Sequence, residues 1–272
     1  MEFRRVFALE ALPTPDMPDG GSQPKSWLLC EDDAGRKDRY IVKWPDDLDG
    51  TKHDGARSKE FFNELFGLAM CESVGLPVAH GAIVRVRSPI GTVAAGDWFG
   101  TVFEDDFEAI SPQGVVPDFS VVVGRIGEIA YRLMALDEFI LNVDRKGGDL
   151  LVPKAGVSTM RPFLPIDHGN VLSGSHWTPD SLISARCAVP PYADSRRVFY
   201  GVSDAERANA AAVKILRHVD QAKAIVDELG ELCSLTNQEA RSLHLLLNCR
   251  AADLEHRVRN AVAQAEKHKA DA

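Results

Sequence analysis

The stretch that most constrains this chain runs from Leu136 to Gly169. It reads LDEFILNVDRKGGDLLV, then a short hairpin-like insert, then LPIDHG. Asp144, Asp149 and Asp167 therefore fall on loops, each beside an apolar run of strand or helix character: FIL before the first, LLV after the second, FLPI before the third. Acidic loops set against a rigid scaffold are a common way to build a catalytic or metal site. One such aspartate alone would read as a turn residue, since Asp bonds its own backbone in turns. The three together, flanked by both strand-like runs, form a constellation.

Asp149 follows Asp144 by five residues, and a strand and a return strand then lead to Asp167. This order fits phosphoryl transfer, in which one carboxylate aligns the attacking hydroxyl and two further oxygen ligands hold Mg²⁺ against nucleotide phosphates. No competing Cys/His set accompanies the aspartates.

NVDRKGGDLLV and LPIDHGNVL resemble the catalytic and metal-binding loops of the HipA-like kinases, relatives of protein kinases and phosphatidylinositol kinases, whose pattern is N-x-D-R-x-x-x-N-L-L followed by I-D-H-G or I-D-F-G. The resemblance implies a catalytic role for Asp144 and metal ligation by Asp167. Asp149 stands where the family has Asn. A carboxylate also binds a divalent cation, but its extra negative charge near the phosphates leaves open an active enzyme or a relative that only binds nucleotide.

Upstream, EFRRVFAL reads as a first strand, and the turn at Gly20 and Gly21 feeds a second one, SWLLC. A glycine-rich turn can lay backbone amides over phosphates. Here Gly21, Ser22, Gln23 and Lys25 resemble the family's Gly-x-Gln-x-Lys phosphate loop. In DRYIVKWP, alternation puts Tyr40, Val42 and Trp44 on one face and Ile41 and Lys43 on the other. By resemblance, Lys43 meets the nucleotide phosphates and Ile41 roofs the base. The run from Ala56 to Val74 has helical spacing, with Glu64 set between Phe61 and Leu68. A carboxylate on that apolar surface needs a cation, and Lys43 is the candidate, with Glu60 and Glu72 as rival partners. Asn63-Glu64 matches the family's helix pattern. Gly75 reads as the stop for this helix, and GAIVRVR and WFGTVFE follow as an antiparallel pair.

EDDFEAISPQGVVP interrupts the strand pattern and reads as a hinge. The resemblance places the base edge against the backbone of Val102 to Glu104, including Phe103 and Glu104. A helix is expected from Ser120 to Leu141, under the catalytic loop, with Asn142 bracing that loop and Arg145 neutralising phosphate or stabilising Asp144. Residues 171–200 read as an irregular acceptor-binding segment in which His176, Trp177, Arg196 and Arg197 are candidate contacts. Ser203 with Glu206 and Thr236 with Glu239 have capping-box spacing ahead of C-terminal helices, and the final RNAVAQAEKHKADA is polar enough to fray. Those helices suit a structural lobe, a homodimer surface or contact with a regulatory partner protein.

With 272 residues and 45% hydrophobic content, the chain can bury a substantial core. A net charge of −9 supplies no broad basic footprint for nucleic acid or anionic membrane. The five scattered cysteines suit reduced core thiols in a cytoplasmic protein, and no apolar run reaches membrane-spanning length.

The expectation is an α+β, two-lobed protein-kinase-like fold: a strand-rich nucleotide lobe over residues 1–104, a hinge over 105–119 and a mostly helical lobe over 120–272. The resemblance implies an ATP-dependent kinase using Mg²⁺ or Mn²⁺, with Asp144, Lys43 and Glu64 in catalysis, Asp149 and Asp167 on metal, and a protein serine or threonine as acceptor. Alternatives are a lipid or small-molecule hydroxyl as acceptor, or a non-catalytic nucleotide-binding scaffold.

Overall fold

The computed structural model describes residues 3–13, 25–43, 59–109, 127–145, 147–186 and 202–270. The glycine-turn residues Gly21, Ser22 and Gln23, together with Trp44, Arg196 and Arg197, lie outside the described residues.

The N-terminal part is a closed five-stranded barrel in the order β1-β2-β3-β5-β4, with β1 (Arg5–Ala11), β2 (Lys25–Asp32), β3 (Lys37–Lys43), β4 (Gly81–Val86) and β5 (Gly96–Val102). Every pairing is antiparallel except the closing one of β1 with β4. Alternation decides what fills it. Val6, Leu28, Cys30, Tyr40, Val42, Val84 and Trp98 pack together inside, which turns Ile41 and Lys43 of β3 to the outer face.

Between β3 and β4 runs α1 (Lys59–Ser73), buried on every side from Glu60 to Cys71. It belongs mainly to the core of the helical part, where Phe62, Leu65, Phe66 and Met70 pack with Leu133, Met134 and Phe139. Beyond Ser73 the chain turns through Gly75 at φ 69°, and Leu76 N donates to Cys71 O at 2.9 Å. Glycine takes this left-handed conformation without steric cost, which is why the helix stops there.

β6 (Phe107–Ala109) lies inside the segment expected as a hinge and pairs with β7 (Leu150–Pro153), which pairs in turn with β8 (Leu164–Pro165). α2 (Glu128–Phe139) covers the described part of the helix expected from Ser120 to Leu141. It ends before Leu141, whose φ of 53° turns the chain into the loop that carries Asp144. The helical part continues with α3 (Pro179–Ala185), α4 (Ala205–Leu216), α5 (Val219–Leu232), α6 (Asn237–Ala252) and α7 (Leu254–Ala270).

Some local expectations need correction. The segment after Val171 is not wholly irregular, because Thr178 and Ser181 form a capping box that starts α3. The cap of α4 is Asp204 rather than Ser203; its carboxylate accepts from Glu206 N and Arg207 N. Thr236 and Glu239 do form the expected capping box of α6. The polar C-terminal run does not fray but continues α7 to Ala270, held by buried Ala261, Val262 and Ala265. Small residues can seat a helix closely without producing a strong apolar stripe.

Among the described residues Cys30, Cys71 and Cys233 are free and buried, and burial pushes the Cys30 and Cys233 thiols up to about 12. Thiols held in that state are poor nucleophiles. No described helix is long and apolar enough to cross a membrane.

Candidate active site

The barrel's outer face, α1 and the loop after β8 meet at Lys43. Its Nζ donates to Glu64 Oε1 at 2.6 Å and to Asp167 Oδ1 at 2.8 Å. Of the three acidic candidates on α1, it is Glu64 that pairs with Lys43, and it is 1% exposed, so its charge is not left to solvent. Glu64 Oε2 also accepts from the backbone N of His168 at 2.8 Å. One carboxylate thus ties the strand lysine to the loop that carries Asp167.

These contacts set the charge states. Burial works against the charge on Lys43, but the Glu64 and Asp167 carboxylates outweigh it and hold the ammonium above the ordinary lysine range. Burial likewise opposes ionisation of Asp167, yet Lys43, then Lys25 and Arg145, keep it down at about 2. Burial pushes Glu64 up from the carboxylate range, with Lys43 and the His168 amide pulling the other way. A cation between two carboxylates at hydrogen-bond distance favours the ion-paired form.

Asp167 has φ 59°, an uncommon conformation for a residue with a side chain. The next residue holds it there from below. His168 is 2% exposed, and Gly67 of α1 lies so close that a Cβ on it would sit 2.4 Å from His168 Cβ. Only glycine permits this approach of helix and loop. Arg145 Nη2 lies 3.4 Å from His168 Nδ1, and Cys71 Sγ lies 3.8 Å from Nε2. Arginine can only donate, so Nδ1 is the acceptor and the imidazole is neutral.

Burial, and then the charge of Arg145, drive His168 well below its ordinary 6.5. Unfolding frees an imidazole that takes up a proton below that pH, so this contribution to stability is complete above it and is lost as pH falls. Urea denaturation in chelator should show stability falling by at most about 1.4 kcal/mol per pH unit below pH 6.5 from this proton. His168→Gln should remove that component, and an unchanged slope in the variant would refute the assignment.

Arg145 does not face the phosphate region or Asp144, as expected from its place beside Asp144. It is 2% exposed and donates to both carboxylate oxygens of Asp137 at 3.0 Å and to Ile166 O at 2.8 Å. Asn142 joins the same hub, donating to Asp137 Oδ1 at 3.2 Å and accepting from Asp144 N at 3.2 Å. This is the bracing expected of Asn142. Beside Asp137, Glu138 is held by Arg250 of α6, which is fully buried and donates through Nε to Glu138 O at 2.6 Å.

Asp149 closes a one-turn 3₁₀ helix (Gly147–Asp149), and its carbonyl accepts from Ile166 N at 2.8 Å. The β7–β8 ladder therefore sets Asp149 beside the residue preceding Asp167. Among the described residues no three His, Cys, Asp or Glu side chains converge as a self-sufficient metal site. Asp167, on Lys43 at 2.8 Å, offers the hard oxygen donor that a cation such as Mg²⁺ takes, and Asp149 lies across the β7–β8 ladder from it.

On the barrel side, Lys25 stands opposite Lys43 and Trp27 opposite Ile41 in the β2–β3 register. Directly opposed residues share a sheet face, so two lysines and an apolar wall look into the cleft. Trp27 packs on Phe103 with ring centroids 4.5 Å apart. Sequence reasoning missed Trp27, although its parity with Lys25 in β2 was a usable signal. Val102 N and Phe103 N donate to His80 O and Arg39 O, so these two backbone donors are already used. Glu104 is gripped by Arg161, with both oxygens accepting at 2.8 Å. Trp177 is not an exposed acceptor contact: it is 3% exposed and donates to Asn63 Oδ1 at 2.9 Å, while His176 is exposed.

A β-barrel joined to a helical part, with a strand lysine paired to a helix glutamate and acidic loops beneath, is a two-lobed protein-kinase-like fold. Over nearly its whole length the chain matches the crystal structure of CtkA, a proinflammatory kinase of Helicobacter pylori, with TM-score 0.64, 13% identity and coverage of 97% of this chain and 99% of that one. The Golgi casein kinase with Mn/ADP bound matches at TM-score 0.42 and 12% identity over 99% of this chain and 74% of that one. The Rio2 kinase of Chaetomium thermophilum, an ADP/Mg²⁺-phosphoaspartate complex, matches at 0.38 and 9% over 96% and 72%. No family model and no curated protein matches the sequence.

Proposed function

We propose that this protein is a HipA-like kinase that transfers the γ-phosphoryl group of ATP to a hydroxyl, most simply that of a protein serine or threonine. The observation that carries this reading is Lys43 bridging Glu64 and Asp167 at 2.6 and 2.8 Å. A cation held by two carboxylates at the mouth of an apolar wall is positioned for a polyanion with a flat base. In this reading Lys43 orients the phosphates and Glu64 fixes Lys43. Trp27 and Ile41 cover the base, with Phe103 and Glu104 at its edge. Lys25 and the turn at Gly21, Ser22 and Gln23 cover the phosphates.

Asp149 and Asp167 would hold Mg²⁺ or Mn²⁺, which when bound neutralises phosphate charge. Asp144 aligns the acceptor hydroxyl and takes its proton. Catalysis of this type rests on positioning and charge. Residues 1–104 then form the nucleotide lobe, 105–119 the hinge and 120–272 the acceptor lobe.

A second reading, a nucleotide-binding scaffold without transfer, is favoured by one observation: the carboxylate of Asp149 in place of an amide. Labelled ATP with Mg²⁺ or Mn²⁺, offered to the protein itself, to candidate proteins and to inositol-lipid vesicles, separates the readings. Label on serine or threonine that is absent with Asp144→Ala supports the protein kinase, and label in lipid moves the acceptor class. Nucleotide binding with wild type and Asp144→Ala equally inert leaves the scaffold.

A further inference from the structure

The segment Gly169–Gly174 is bonded along both edges. On one side Asn63 of α1, 0% exposed and adjacent to Glu64, donates to Gly169 O at 2.7 Å, Gly174 O at 2.9 Å and Val171 O at 3.0 Å. On the other side the residues between them bond the catalytic loop. Val143 N donates to Asn170 O at 3.4 Å, Leu172 N to Ile140 O at 2.9 Å and Ser173 N to Leu141 O at 3.4 Å. Leu172 and Ser173 hold φ of 57° and 76° to do so. At the end of this strap Asn170 Nδ2 donates to Asp144 Oδ2 at 3.2 Å.

We propose that Asn170 is a positioning residue for the phosphoryl-transfer reaction: its side-chain amide fixes the rotation of the Asp144 carboxylate. The role rests on the kinase reading above. A carboxylate on a loop can turn about its own bonds even when its backbone is held. Asn142 holds the backbone of Asp144, accepting from its N, whereas Asn170 holds the side chain. Because Asn170 belongs to the strap that Asn63 anchors, the orientation of Asp144 is tied to the seat of α1, and so to Glu64 and Lys43.

The test measures MgATP turnover as ADP release, with the pH dependence of kcat/KM, for the full chain as wild type, Asp144→Ala, Asn170→Ala and Asn170→Asp. Asn170→Ala should lose about ten- to a hundred-fold in kcat, the usual scale for a misplaced reacting group. KM for ATP should stay within about two-fold, since Asn170 lies on the acceptor side. Asn170→Asp sets a like charge against Asp144 and should raise the acid limb of the profile by about one pH unit or more; a merely structural residue would not move that limb. Turnover by Asn170→Ala within two-fold of wild type, or loss of nucleotide affinity in step with kcat, overturns the positioning role while the kinase reading stands. Wild-type turnover no greater than that of Asp144→Ala overturns both.

Discussion

Asp144→Ala should lower γ-phosphoryl transfer by about a hundred- to ten-thousand-fold, the range a general base contributes, with nucleotide affinity little changed. Three features of the loop make this specific. Its backbone has bracing of its own, because Asp137 gathers Asn142 and Arg145 beneath it, and Arg145 reaches across to Ile166 O. The carboxylate is only half-buried, so its removal opens little cavity in the core. Lys43, to which the proposal gives the phosphates, is braced from α1 and the Asp167 loop, not from the Asp144 loop. Single-turnover transfer and nucleotide titration on the same sample check the claim. A variant with wild-type transfer would remove Asp144 from the reaction, and one that neither binds nucleotide nor folds would make the residue structural.

Lys43→Met is the second large effect, and it reaches stability as well as rate. Lys43 is the cation shared by Glu64 and Asp167, and the Glu64 side chain is 2% exposed. Taking one partner from a buried ion pair costs about 3–5 kcal/mol, because a charge stays behind without compensation. Here two like charges stay behind. Glu64, which burial already raises, loses the cation that pulled it down, so its folded-state value lies above its unfolded one and the deficit grows as pH rises and shrinks as pH falls toward the carboxylate range. Adding Glu64→Gln to Lys43→Met should return part of the lost stability by removing the buried charge, while transfer stays at least about a hundred-fold down. Urea denaturation at pH 5 and pH 8 reads the first part and ADP release the second. A Lys43→Met protein as stable as wild type at pH 8 would show that the pair is not buried in solution.

What was legible in the sequence follows the range of the interaction. Strand alternation separated Ile41 and Lys43 from Tyr40 and Val42, because a period of two leaves no other choice once one face is buried. The capping box at Thr236 is a contact over three residues and was equally plain. Helix periodicity could not single out Glu64 from Glu60 and Glu72, because α1 is buried all round from Glu60 to Cys71 and has no solvent face there to orient it. Resemblance and large apolar neighbours favoured Glu64, and the fold supplies the contact itself. The hub of Asp137, Arg145 and His168 joins residues from three separate segments, and Arg161 grips Glu104 across 57 positions. Nothing local marks such pairs. Arg145 was misplaced for that reason: adjacency to Asp144 suggested phosphate, while its side chain turns inward to Asp137.

Asp149 and Asp167 lie on neighbouring turns of one ladder, and no third His, Cys, Asp or Glu side chain joins them as a metal site among the described residues. A divalent ion held by Asp149 and Asp167, as proposed, should therefore need the nucleotide to complete its shell. Titration of Mn²⁺ followed by electron paramagnetic resonance, with and without a non-hydrolysable ATP analogue, reads this directly in wild type, Asp149→Ala and Asp167→Asn. The account predicts Mn²⁺ bound at least about ten-fold more tightly with the nucleotide present, the gain being cut by each substitution. Mn²⁺ binding that ignores the nucleotide, or a gain that survives both substitutions, would mean that these side chains do not share one ion.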